Sequence, residues 1–383
     1  MRYFKAVRCI PENTLLVLVF KEQSMRYRLV ISFLLFLALE INAQDTTFVE
    51  LQADTAVVDV PGVNTTEAAM RFNEGVALFG QRKLKEAVEM FTQSIEIDSS
   101  FVRAYVNRGS VLLEMNQPDA AERDFRVAIN LNDSADAAHY GLARILESRG
   151  DEEGAFHHYS KAIDYNPNMA SYYYQRGVIY FQKEDYLNAQ LDFTLALRVD
   201  PDFGYAYNDR ASCHLKMDNL KAAIADYEEC LKRLPQFALA HNNLASAKRK
   251  LGLKDESILD YTQAIRVDPD NHVAINNRGY TFYELGKLPE ALADFELALS
   301  KQSDYVLALN NKASVLIDME NWIEAEKALN RAIELNKEYA YAYFNRGIAR
   351  EMLRNIEGAC ADWSRAAELG VKNATKYYEM VCE

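Results

Sequence analysis

The chain has 383 residues, 49% of them apolar, and a formal net charge of -13 at pH 7. That is enough apolar material for a large core, which excludes an intrinsically disordered chain. The acidic balance argues against a nucleic-acid partner, because counterion release needs a basic surface. The acidity is greater still beyond residue 43, since the first 43 residues hold six Lys/Arg against three Glu.

The first predicted element is an export leader within residues 1–43, read from an internal start at Met25. Arg26 and Arg28 precede an apolar run from Leu29 to Leu39 broken only by Ser32, and Ile41, Asn42 and Ala43 follow. This is the order of a charged region, a short apolar region and a small residue at the cleavage site, here after Ala43. The run falls short of the roughly 20 apolar residues of a membrane span, so no stable span is expected once the leader is cut. The expected destination is the periplasm or the extracellular space. The competing expectation is that the segment stays uncleaved and anchors the chain to a membrane. Residues 44–67 show no helical period and contain Asp, Thr, Pro and Gly, so they read as a flexible acidic linker.

From residue 68 to residue 373 the sequence repeats every 34 residues, nine times, without an insertion. Position 20 of the repeat runs Ala87, Ala121, Ala155, Ala189, Ala223, Ser257, Ala291, Ala325, Ala359. Position 24 is large and apolar, from Phe91 and Phe125 to Trp363, and position 27 is small, from Ser94 to Ala366. The 20, 24, 27 spacing is one face of a helix. Position 8 is small in every repeat and position 11 mostly large, which marks a second helix ahead of the first. Asn116, Gly150, Asp218, Gly252 and Gly286 lie between the two as turn residues, and Pro167, Pro201, Pro235 and Pro269 lie near the ends of repeats 3 to 6. Residues 374–383 follow a break at Gly370 and read as a capping helix. Helix rise places Cys360 and Cys382 at similar heights above that break, so a disulfide between them is expected, with two free buried thiols as the alternative. Cys213 and Cys230 are expected in the core.

This pattern resembles the tetratricopeptide repeat, a helix-turn-helix unit of this length with small residues at 8, 20 and 27 and proline at 32. The resemblance implies an all-α fold, a right-handed superhelical solenoid of nine units with a C-terminal capping helix. Proline is missing at position 32 in repeats 1, 2, 7 and 8, and Ser257 replaces alanine in repeat 6.

Two polar positions stand out within the period. Position 7 is Arg108, Arg176, Arg210, Arg278 and Arg346 in five repeats, and in each of them position 23 is an acid: Asp124, Asp192, Asp226, Asp294, Asp362. Both positions lie at similar distances from the turn, so structural ion pairs across the hairpin are expected. Position 6 carries Asn73, Asn107, Asn243, Asn277, Asn311 and Asn345, and position 5 adds Asn208, Asn242, Asn276 and Asn310. Asparagine inside a helix costs up to about 0.7 kcal/mol relative to alanine, so something should offset it. The asparagine ladder resembles that of the repeat region of O-linked N-acetylglucosamine transferase. That resemblance implies that these amides line a concave groove and hold the backbone of an extended peptide. The alternative is an inherited, solvated stripe. The basic clamp of the peptide-binding co-chaperones is not reproduced, since Arg103 is the only basic residue at positions 2 and 5. Position 5 of the first four repeats is Phe72, Val106, Tyr140 and Tyr174, which would give the groove an aromatic half containing Tyr140 and Tyr174.

No nucleophile constellation, phosphate loop or metal spacing stands out, and His157 beside His158 points two ways from one helix. Neither a catalytic residue, a metal site nor a cofactor is expected. The expected function is a non-enzymatic scaffold or adaptor that binds a protein or an extended peptide in the groove. The alternatives are a structural subunit of a cell-envelope assembly using the convex face, and a carbohydrate-binding or enzymatic role.

Overall fold

The computed structural model describes residues 65–382, so the expected leader, its start at Met25, its cleavage site and the linker up to residue 64 lie outside the described residues. The chain divides into two compact units that meet in sequence at Met217 and Asp218. The described part of the N-terminal unit, residues 65–217, holds repeats 1 to 4 and the first helix of repeat 5. Residues 218–382 hold the remainder. All regular structure in the described residues is helical.

The helices keep the sequence period. From repeat 2 onward each first helix begins on position 1 and runs 13 residues, from Val102–Glu114 to Ala340–Met352. Each second helix begins on position 17, from Leu84–Ile97 in repeat 1 to Ile356–Glu368 in repeat 9. The first helix of repeat 1 starts earlier, at Thr65, and the last helix is Lys372–Cys382. Within each unit a first helix packs on its own second helix, and a second helix packs on the next first helix. The core follows the small–large–small face: the position 24 rings Phe91, Phe125, Tyr159, Phe193, Tyr227, Tyr261, Phe295 and Trp363 are fully buried. Position 8 is small because the ring arrives there, and a Cβ on Gly75 would sit 2.7 Å from Phe91 Cε1.

One backbone feature closes all nine hairpins. Position 15 is left-handed in every repeat, with φ between 58° at Asn116 and 91° at Gly252. The turn ends the first helix by the Schellman pattern, in which Gln117 N–H donates to the Leu112 carbonyl at 2.8 Å and Asn116 N–H to the Leu113 carbonyl at 2.9 Å. Six repeats hold a side chain there against its steric preference, namely Arg82, Asn116, Glu184, Asp218, Glu320 and Arg354.

The last helix covers the end of the C-terminal unit. The Tyr377 ring lies 5.2 Å from Phe344 and 5.3 Å from Trp363, and Cys360 is disulfide-bonded to Cys382 with the Cα atoms 5.9 Å apart. Cys213 and Cys230 are buried and in no disulfide, and burial pushes the Cys213 thiol up to about 12.

Glu320→Gly should stabilise the chain and Gly286→Ala destabilise it, each by roughly 1 kcal/mol, because only the left-handed backbone distinguishes the residues at these open sites. Thermal unfolding followed by circular dichroism checks the two opposite shifts.

Candidate functional site

The arginines of position 7 form three-point forks. Arg108 donates from Nε and Nη2 to both oxygens of Asp124, each at 2.7 Å, and from Nη1 to Thr92 Oγ1 at 3.0 Å. Thr92 is position 25 of the preceding repeat. The same arrangement joins Arg176 to Asp192 and Ser160, Arg278 to Asp294 and Thr262, and Arg346 to Asp362 and Asn330. Arg210 donates to Thr194 at 3.3 Å, and its partner by sequence, the buried Asp226, belongs to the other unit. Each fork ties a hairpin together and fastens it to the repeat before. Hydrogen bonding to Asp124, against the opposing effect of desolvation, holds the Arg108 guanidinium above its usual pKa. Two tyrosines at position 4 lie beneath such forks, Tyr105 under Arg108 and Tyr343 under Arg346, at 5.7 and 5.5 Å from ring centre to Cζ.

Repeat 6 has Asp260 at position 23 without an arginine at position 7, and Lys248 from position 11 fills the gap at 2.9 Å. Arg350, again at position 11, adds a second cation to Asp362 at 2.9 Å. The sequence comparison missed both, and a tally of cations at position 11 would have found them.

The asparagines expected to line an open groove are mostly buried and bonded to one another. Asn277 Nδ2 donates to Asn242 Oδ1 at 3.2 Å, Asn311 to Asn276 at 3.1 Å, and Asn345 to Asn310 at 2.9 Å. In every pair position 6 of one repeat meets position 5 of the repeat before. None of the six is more than 9% exposed, and Asn107 and Asn208 are buried as well. Asn73 and Asn243 are half-buried. The tyrosines expected to form an aromatic groove wall occupy the same seam in the N-terminal unit. Tyr174 donates to Asp209 Oδ2 at 2.7 Å, and the Tyr140 hydroxyl is buried in the same seam. Tyr140 and Tyr174 are 0% and 8% exposed, so they wall no open groove. Burial pushes the Asp209 carboxyl above its usual range, against the lowering effect of the hydrogen bonds it accepts from Tyr174 and Asn208. Where position 5 is Val106, position 6 of the next repeat is Gly141, and no polar pair is needed. In the three amide pairs the cost of asparagine inside a helix is offset by its partner in the adjacent repeat.

What stays exposed is different chemistry. Between the first helices of repeats 2 and 3 lies a cavity of ≈ 340 Å³ with Phe101, Val106 and Ala135 on its apolar side and Arg103, Asn107 and Asp136 on its polar side. In the C-terminal unit, position 2 presents Leu239, Val273, Leu307 and Tyr341, the first exposed and the others half-buried. On a second helix, Leu187 and Leu191 of repeat 4 are 71% and 55% exposed, one helical turn apart. Among the described residues no group of three or more His, Cys, Asp and Glu is placed to hold a metal ion, and no helix is long and apolar enough to cross a membrane.

Residues 310–374 match the family model described as the tetratricopeptide repeat, and residues 100–284 match the model of the ETO1 C-terminal domain. The chain is a tetratricopeptide-repeat protein. No curated protein sequence matches it. Among solved structures, this tetratricopeptide-repeat chain is similar to YrrB, described as a TPR protein with an unusual peptide-binding site, at 26% identity over 49% of this chain and 97% of that one, with a TM-score of 0.45. Yeast Tom70 is similar at 16% identity over 82% of this chain and 89% of that one, with a TM-score of 0.46. PilF of Pseudomonas aeruginosa is similar at 16% identity over 53% and 93% of the two chains, with a TM-score of 0.49.

Repeat 3 of this tetratricopeptide-repeat protein departs from the fork pattern. His158 replaces the acid at position 23, and its Nδ1 lies 2.8 Å from Nδ1 of His139. His139 Nε2–H donates to the Asp133 carbonyl at 2.9 Å, which leaves its Nδ1 as acceptor and requires the proton on Nδ1 of His158. Desolvation, helped by the neighbouring His139, His157 and Arg126, lowers the pKa of His158 to about 4.

Two outcomes follow from these contacts. Arg278→Ala leaves Asp294 buried without its partner and should cost about 3–5 kcal/mol, whereas replacing Arg278 and Asp294 together by leucine should cost far less. Urea unfolding of the two variants decides this. A histidine held neutral stabilises the fold fully above its unfolded pKa of about 6.5, and that contribution is lost as pH falls through about 4. The melting temperature should therefore drop between these values, and drop less in His158→Gln, as a pH series of thermal melts would record.

Proposed function

We propose that the chain is a non-enzymatic interaction scaffold that takes an extended protein segment along the exposed face of its first helices. The observation that carries this reading is the division of labour on those helices. Their buried polar side chains bind the neighbouring repeat, while Leu239 and Arg103 at position 2 are exposed and the cavity at Arg103 is open. A cavity of ≈ 340 Å³ suits one large side chain of a bound segment. The leader-like residues 25–43 support export to the periplasm or the cell exterior. The Cys360–Cys382 bond suits such an oxidising compartment.

A second reading is a structural subunit of an envelope assembly that docks through the second helices. Leu187 and Leu191 favour it, because repeat 4 alone carries large apolar side chains at both positions 18 and 22. In-cell photo-crosslinking from positions 103, 307 and 187 separates the two. Capture of one partner from 103 and 307, with none from 187, is the expected result. Capture from 187 alone would move the function to the second-helix face.

A further inference from the structure

The second helix of repeat 4, Tyr186–Val199, is apolar on both sides. Ala189, Phe193 and Ala196 are buried in the core, whereas Leu187 and Leu191 are 71% and 55% exposed and Leu195, one turn further on, is half-buried. These leucines stand at positions 18, 22 and 26, and no other repeat has large apolar side chains at all three. Leu259 of repeat 6 and Ile323 of repeat 8 are exposed at one of these positions, but each is accompanied by a charge, Asp255 at position 18 and Lys327 at position 22. What is a mixed or polar surface on the other second helices is in repeat 4 an apolar strip about 12 Å long.

The strip is symmetric about Leu191. Leu187 and Leu195 lie four residues to either side, and at about 100° per residue both fall within about 40° of the line through Leu191. Seven residues to either side stand opposite charges, Glu184 in the turn just ahead of the helix and Arg198 in its last turn. Both are exposed, and neither has an ion-pair partner among the described residues. Lys183, next to Glu184, is turned onto the Phe156 ring, 5.8 Å from its centre.

Such a face is complementary to its own copy. When two of these helices cross antiparallel about a two-fold axis at Leu191, Leu191 meets Leu191, Leu187 meets Leu195, and the Glu184 of each copy lies towards the Arg198 of the other. A parallel pairing would set Glu184 against Glu184 and Arg198 against Arg198. The antiparallel pairing also brings opposite ends of the two helix dipoles together.

We propose that this face docks a second copy of the chain, forming an antiparallel two-fold dimer through Leu187, Leu191 and Leu195 with Glu184 and Arg198 at its ends. A contact of one helix per subunit falls short of the roughly 800 Å² per partner of a standard interface, so the dimer is weak and forms at micromolar concentration. It goes beyond the scaffold reading and does not depend on it, because the contact lies on a second helix.

The test is sedimentation equilibrium of the full chain over a concentration series. The parent should pass from monomer to dimer, and Leu191→Glu, which sets two like charges on the axis, should remain monomeric. Glu184→Arg should weaken the dimer about tenfold, because the two-fold axis doubles the lost pair, and Glu184→Arg combined with Arg198→Glu should return it to within about twofold of the parent. Arginine already occupies the place of Glu184 in repeats 1 and 9, as Arg82 and Arg354, and circular dichroism should be unchanged in all three variants. A parent that stays monomeric throughout, a dimer that survives Leu191→Glu, or a double reversal that stays weak would overturn the proposal. Photo-crosslinking from position 187 should trap the chain itself and not the partner held at 103 and 307. Capture of a different protein there would overturn the dimer and leave the first-helix reading to its own test.

Discussion

On the first-helix side, four repeat junctions are closed by one kind of contact, a hydrogen bond between position 5 of one repeat and position 6 of the next. In the C-terminal unit it is an amide bonded to an amide, from Asn242–Asn277 to Asn310–Asn345. In the N-terminal unit it is the Tyr174 hydroxyl on Asp209. A buried donor left without its acceptor costs about 1–3 kcal/mol, more than the net gain of the bond itself, so the contact penalises a wrong register more than it rewards the right one. The arginine forks do the same work on the second-helix side, because the third nitrogen of each reaches a hydroxyl or amide of the previous repeat. Thr92, Ser160, Thr194, Thr262 and Asn330 stand at position 25 ahead of every arginine repeat, while Arg126, Glu228 and Glu296 stand ahead of the others.

This internal use of polar groups determines what a partner can meet. Amides engaged with one another at less than a tenth exposure are unavailable to a peptide backbone, and the reachable surface is set by residues that do not take part in the seam. In the C-terminal unit those are the apolar side chains of position 2. In the N-terminal unit they include Phe101, Arg103 and Asp136 around a cavity that the position 5 and 6 residues Val106 and Asn107 also line. The two units thus share one way of stacking and differ in the chemistry they show to solvent.

The period and the helical face at positions 20, 24 and 27 are readable from sequence, because each recurs nine times with one physical meaning, whereas the turn at position 15 is readable at Asn116, Gly150, Asp218, Gly252 and Gly286 and not at Arg82, Glu184, Glu320 and Arg354. The arginine–aspartate pairing is readable for a related reason, as the two residues come and go together. Position 25 obeys the same rule but was easy to miss, since Thr92 or Ser160 resembles ordinary helix surface until its arginine is placed beside it. The asparagines were misleading in an instructive way. Their helix-propensity cost does call for compensation, and the likeness to a peptide-binding ladder suggested a ligand, yet the compensating group is an amide 35 residues away in the same chain. Tyr140 and Tyr174 looked like a groove wall because aromatic rings at position 5 alone do not reveal that both are buried and that Tyr174 donates to position 6 of the next repeat. The unit boundary at Met217 and Asp218 left no mark, because the period runs through it without an insertion.

The central claim is that the recurrent polar residues hold the repeats and the position 2 row meets the partner. The most direct measurement takes Asn311→Ala and Leu307→Ser, four residues apart on one helix, and records urea unfolding and partner capture from position 341 for both. The account predicts that Asn311→Ala loses about 1–3 kcal/mol of stability and keeps partner capture, while Leu307→Ser loses capture. The reverse pattern, with capture lost in a stable Asn311→Ala and kept in Leu307→Ser, would contradict it and return the amides to the role of ligand-binding groups.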